Sequence, residues 1–230
     1  GLAFLFNFSV ANWAIFYAAM YLVPRGSLAL LMSRLLTFGT INLNAFFSHL
    51  VVSVTKKEKR WGRLLFVNYA LAVLLNFMIF IPQIIIRGTS AKMGFPSYTD
   101  GGSFYFLIPV YLFSNVLFST WQIIEGIQRT SGYRKNQLSL FLAATLIGYA
   151  TGTPAFLLVF DIPIKPVTTP LVSLFPVILT YAIVKHRFLD ITKLVKNTLI
   201  FSFLFVGLLG FVSIILFISK EWISGFIGIT

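Results

Sequence analysis

The sequence predicts an all-α membrane protein, a polytopic bundle of about seven transmembrane helices, and three observations carry the prediction. The composition is 58% hydrophobic and only 10% charged, with a mean hydropathy of +0.90, against about 45–50% apolar and about 25% charged in soluble domains. Seven apolar stretches reach the roughly 20 residues that a helix needs to cross a hydrocarbon core about 30 Å thick. The Lys and Arg residues between them gather in alternate loops. A water-soluble fold would have to expose most of this apolar surface, including many of the 26 Phe residues.

The stretches are 1–22, 28–54, 64–86, 104–127, 137–160, 167–184 and 194–219, one transmembrane domain over 1–230. Within a bilayer every backbone polar group needs a partner inside the protein, which leaves helices or a closed barrel. The runs are too long for barrel strands and lack their alternation. Helices follow. No cleavable signal peptide is visible, and Gly1 opens at an apolar run with no basic flank, so the sequence is expected to be a piece of a longer chain.

The bases set the orientation. The second, fourth and sixth loops hold 12: Lys56, Lys57, Lys59, Arg60 and Arg63; Arg129, Arg134 and Lys135; Lys185, Arg187, Lys193 and Lys196. The other loops and the tail hold five: Arg25, Arg87, Lys92, Lys165 and Lys220. The even loops are therefore expected in the cytoplasm, with residue 1 cytoplasmic and Thr230 extracytoplasmic. The net charge of +12 is topological on this reading, and no nucleic acid is implied. Trp61 and Trp121 fall near the inner boundary and Trp222 near the outer one.

Polar residues inside the spans are the candidate site. In the second span Arg34, Thr37, Ile41, Asn44 and Ser48 follow a 3-4-3-4 spacing that places them on one helical stripe. Arg34 either snorkels to the outer surface or pairs structurally, which is the commoner arrangement, or contacts an anion within the bundle. His49, alone, suggests an interhelical hydrogen bond. Asn68, Asn76 and Gln83 form a stripe on the third span. Tyr111, Asn115, Ser119, Gln122 and Glu125 form one on the fourth, with Glu125 placed to pair with Arg129. Such stripes glue helices together; read functionally, they converge on a cavity open to the outside. The candidate ligand-binding set is Arg34, Thr37, Asn44, Asn76, Gln83, Tyr98, Tyr111, Asn115 and Gln122.

Gly148 and Gly152, at i and i+4, with Pro154 just after, mark a close helix crossing or a hinge in the fifth span. The segment 87–103, RGTSAKMGFPSYTDGGS, reads as a turn-rich loop, either a lid or an ordinary connector. No catalytic motif occurs, and no His, Cys or acid cluster suggests a metal site; with no Cys there are no disulfides. A small-solute transporter or channel would show paired acids or broken helices in corresponding halves, and a structural subunit of a larger complex would need neither.

Residues 181–191, YAIVKHRFLDI, end the sixth span. With Asn12-Trp13, Arg34, Phe47-Ser48-His49-Leu50, the 93–105 segment and SGYRKNQL at 131–138, they resemble the seven-transmembrane N-terminal sensory region of bacterial sensor histidine kinases. The resemblance implies a multi-pass input module in the bacterial cytoplasmic membrane. It perceives an extracytoplasmic or membrane-borne signal, a small molecule, peptide or lipid, and relays it across a homodimer. His186, Arg187 and Asp190 would form a signal-relay hinge. The piece itself would be catalytically inert and without cofactor. ATP and Mg²⁺ would belong to a cytoplasmic kinase domain beyond a further span, or the output would be another domain such as a diguanylate cyclase.

Overall fold

The structure, a computed structural model, describes residues 1–166, 168–173, 175 and 178, all within one compact unit, Gly1–Ala182. The chain forms α1 (Leu2–Ala19), α2 (Ser27–Val54), α3 (Glu58–Met78), β1 (Ile86–Lys92), β2 (Phe95–Gly101), α4 (Leu107–Gln128), α5 (Gly132–Gly152), α6 (Pro154–Val159) and a 3-10 turn (Thr169–Ser173). The protein is mostly helical, and five of its segments are long and apolar enough to cross a membrane: α1, α2, α3, α4 and α5 with α6. The seventh apolar stretch, just over half of the sixth, and the hinge residues His186, Arg187 and Asp190 lie outside the described residues.

α2 is the central helix. Its best apolar window is 67% buried, against 17% for α1 and α3, so the other helices wrap around it. The side chains that α3 and α4 turn outward are large and apolar, with Phe66, Phe77 and Leu117 at least 70% exposed. In water such a surface would drive association; in a bilayer it is the lipid face.

Helix ends follow local chemistry. α3 stops at Met78, four residues before Pro82, rather than running to 86: proline cannot continue the hydrogen-bond ladder and disfavours helix in the residue before it. Gln83 is consequently exposed beyond the helix with φ +66°, so the stripe expected to join it to Asn76 is broken. The fifth apolar stretch divides at Thr153, where Pro154 opens α6 and lacks the N–H that would extend α5. Thr153 covers the break by donating its backbone N–H and its hydroxyl to the Tyr149 carbonyl.

The 87–103 segment is an antiparallel hairpin and not an irregular loop. Thr89 opposes Thr99 and Lys92 opposes Phe95, with Met93 and Gly94 turning at φ +47° and +94°. Two consecutive positive φ values match the right-handed strand twist, the reason tight hairpins favour such turns. Nor is it a loose lid, for Phe95, Ser97, Tyr98 and Thr99 are all buried. Tyr21 stacks on Phe95 with ring centroids 3.8 Å apart. Ser97 donates to the Val23 carbonyl, and Tyr98 donates to the Ala155 carbonyl, both at 2.7 Å. The hairpin caps the bundle end at which α1 and α3 finish and α2 and α4 begin.

Candidate functional site

Three polar layers and one cleft lie along α2. At the hairpin end the Ser33 and Thr99 hydroxyls share a 2.7 Å hydrogen bond. Beside them the Lys92 ammonium, almost fully buried, meets Asp100 at 2.9 Å and Asp161 at 2.7 Å. It also donates to the Thr99 and Leu158 carbonyls at 3.3 Å. Lys92 thus ties the hairpin to the end of α6, and its charge holds the Asp161 carboxyl below the usual aspartate range. Burial pushes the Tyr98 hydroxyl above the usual tyrosine value, so it stays a neutral donor to the Ala155 carbonyl.

At mid-depth Ser48 donates to Asn115 Oδ1 at 2.6 Å and lies 3.2 Å from the Ser119 hydroxyl, while Asn115 also donates to the Tyr111 carbonyl. This is a closed seam between α2 and α4. Tyr111 reaches the Asn68 carbonyl at 3.3 Å. Asn42 and His49 bond to Asn76 and Tyr69 of α3. Asn44 is completely buried: its amide nitrogen donates to the Thr40 carbonyl and its Oδ1 accepts the Tyr149 hydroxyl at 3.1 Å. Interhelical bonds in membranes are worth about 0.6 kcal/mol on average and reach about 1.7. Asn115→Ala, which leaves Ser48 without its acceptor, is expected to cost about 1 kcal/mol, measured as a lowered midpoint in detergent unfolding.

At the far end Lys57 reaches Gln122 Oε1 at 2.8 Å and Glu125 at 2.6 Å, and Arg129 pairs with Glu125 at 2.8 Å. The Arg134 guanidinium donates to the Val54 carbonyl. Trp61 and Trp121 meet edge to face at 5.6 Å with the Arg60 guanidinium over Trp61, a cluster suited to the membrane boundary.

The predicted ligand set therefore does not converge. Thr37 bonds within α2 to the Ser33 carbonyl. Asn115 and Tyr111 serve the α2–α4–α3 seam, Gln122 belongs to the far-end ion cluster, Tyr98 is locked under the hairpin, and Gln83 is outside the bundle. Arg34 is half-buried, its Nε is shielded, and no hydrogen-bond or ion partner reaches it among the described residues. Of the set, Asn44 borders a cleft among the described residues.

That space is a cleft of about 590 Å³, counting its open mouth, between α1, α2, α4, α5, α6 and the 3-10 turn. Phe6, Trp13, Leu112, Phe156, Val172 and Phe175 supply apolar walls, and Thr40, Asn44, Tyr149 and Thr153 the polar ones. Only about 60 Å³ of it is enclosed room for water-sized molecules, well below the about 300–1,000 Å³ usual for small-molecule sites, although its walls are, as in those sites, mostly apolar with a few placed polar groups. Gly148 lets α5 close on Phe175, whose Cβ is 2.9 Å from where a Gly148 side chain would begin. Sequence reasoning marked Gly148, Gly152 and Pro154 as a crossing or hinge but did not connect them to Trp13, Thr40 or Phe156. That connection depends on how three helices pack. Among the described residues no three His, Cys, Asp or Glu side chains gather to hold a metal ion. Compared with protein-family models, with curated proteins and with solved structures, the chain matches none.

Proposed function

We propose that the chain is the membrane-embedded input module of a bacterial signal-transducing histidine kinase, built of seven spans with residue 1 in the cytoplasm. The observation that carries the reading is the mid-depth cleft, bounded on one side by the break between α5 and α6. A ligand biases two packings only through different affinity for each. The joint at Thr153, where backbone continuity already lapses, is where α6 and the hairpin tied to it by Tyr98 and Lys92 would tilt against α5. The ends of the bundle differ as a sensor requires. One is capped by a packed hairpin, and the other presents Lys56, Lys59, Arg60, Arg63, Arg129 and Lys135, suited to the anionic cytoplasmic leaflet.

The functional test is phosphate transfer in the full-length protein. Reconstituted in vesicles with ATP and Mg²⁺, it is expected to phosphorylate a histidine of its cytoplasmic part, and no transfer to any histidine sinks the kinase reading. Orientation is tested separately, helped by the absence of native Cys. Single cysteines at Thr89 and Lys165 are expected to react with an impermeant maleimide in intact cells. Cysteines at Lys59 and Ser131 are expected to react only after permeabilisation. The reverse pattern inverts the topology.

A further inference from the structure

We propose that the mid-depth cleft takes a neutral, single-chain amphiphile with a hydrogen-donating head, of the class of long-chain alcohols, entering sideways from the bilayer. The inference rests on the reading of the cleft as the signal's site and names the chemistry that fits it. Among the described residues no charged side chain lines the cleft, so a carboxylate, phosphate or ammonium would be desolvated there without a counter-charge, a severe penalty. The walls of Phe6, Trp13, Phe156 and Phe175 suit a hydrocarbon chain instead.

The one polar corner has a direction. Thr40 donates its hydroxyl hydrogen to the Leu36 carbonyl, Thr153 to the Tyr149 carbonyl and Tyr149 to Asn44 Oδ1. All three hydroxyl donors are thus used within the protein, while each oxygen keeps lone-pair capacity. A molecule with an O–H or N–H at one end complements those oxygens, and a pure hydrocarbon does not. Access from the water side is obstructed, because Phe95 and Tyr98 pack with Tyr17 and Ala155 under the hairpin. Among the described residues the remaining route lies between helices, from the lipid.

The test uses the full-length protein in phosphatidylcholine nanodiscs and a photoactivatable dodecanol carrying a diazirine on its chain. Labelling is expected on peptides from α1 and from 148–156. Unlabelled dodecanol is expected to compete about fivefold to tenfold better than dodecane, the ratio of one net hydrogen bond, and better than dodecanoate. Gly152 borders the cleft, and among the described residues a Cβ there would meet only Val172 Cγ2, at 3.4 Å. Gly152→Leu should therefore fill the space without striking backbone and lower labelling at least tenfold, while the lipid-facing change Leu117→Ala leaves it as it was. Equal competition by dodecane, or labelling spread evenly over lipid-facing helices, overturns the proposal. The competition order is read on the unaltered protein and needs no variant to fold. Kinase output separates the two readings. Labelled cleft with output indifferent to dodecanol defeats the sensing reading alone. An output that responds to another molecule while dodecanol fails to label defeats the ligand class alone.

Discussion

Gly39→Ala is expected to loosen the packing of α1 on α2 and to lower stability by about 1–3 kcal/mol, the usual cost of forcing a methyl group into a filled interior. The added Cβ would lie 2.5 Å from Asn12 Nδ2, 3.0 Å from the Trp13 backbone nitrogen and 3.2 Å from the Trp13 Cα. Two of these three atoms are backbone, so no rotamer change relieves them and α1 itself must move. The third also donates to the Leu35 carbonyl at 2.9 Å, so the same methyl strains an interhelical hydrogen bond. Trp13 lines the cleft one residue further on, so the displacement carries into the candidate site. In the Asn12→Ala background the methyl meets only backbone. Gly39→Ala is then expected to remain destabilising by at least half its original effect, since the Trp13 atoms are still in the way. A detergent unfolding series on the four proteins of this cycle measures it, and full rescue by Asn12→Ala contradicts the backbone clash.

Helix type depends on quantities that a linear chain carries, which is why α1, α2 and α4 lie close to the apolar stretches, whereas α3 starts six residues and ends eight residues before its own. Hydropathy over about 20 residues and the position of Lys and Arg do not depend on which helix neighbours which. The stripe of Thr37, Asn44 and Ser48 was equally legible as a face, because helical period orders residues around an axis. Its partners were not. Period alone does not reveal that Ser48 meets Asn115 while Asn44, one turn away, meets Tyr149 across 105 residues. The hairpin escaped for a different reason. RGTSAK and FPSYTDG lack the alternation of half-buried strands, and a Met in the left-handed region at position 93 is a weak turn signal. What holds the hairpin is its contact with α1, α2 and α6, which exists only once those helices are packed. Lys57 shows the same limit, for among five loop bases nothing marked it as the one turned inward onto Gln122 and Glu125.

Lys92→Ala is expected to loosen the hairpin's hold on α6, leaving the Tyr98 bond to Ala155, and to cost about 3 kcal/mol, at the low end of the range for breaking a buried ion pair. The reason is asymmetry of exposure. The Asp161 side chain is 74% exposed and water can replace its partner, whereas Asp100 is 16% exposed and would keep only the Ser90 hydroxyl at 2.6 Å. Asp161→Asn should accordingly change stability little, while Lys92→Ala should raise hydrogen exchange of the 86–101 amides at least tenfold. The pH dependence has a definite sign. Lys92 holds the Asp161 carboxyl below its ordinary value, so this contribution is complete above the usual aspartate range near about 4 and is lost as pH falls through the lower folded value. Acidification of the unaltered protein below that range should then lower the protection of the hairpin amides slightly, once the slower intrinsic exchange at low pH is divided out. Asp161→Asn should remove that part of the response, because no titrating group is left at 161. An acid response in the Asp161→Asn protein as large as in the unaltered one would place the sensitive group elsewhere. The joint at Lys92 would then owe its hold to Asp100 and the Thr99 and Leu158 carbonyls, groups that keep α6 and the hairpin moving as one piece.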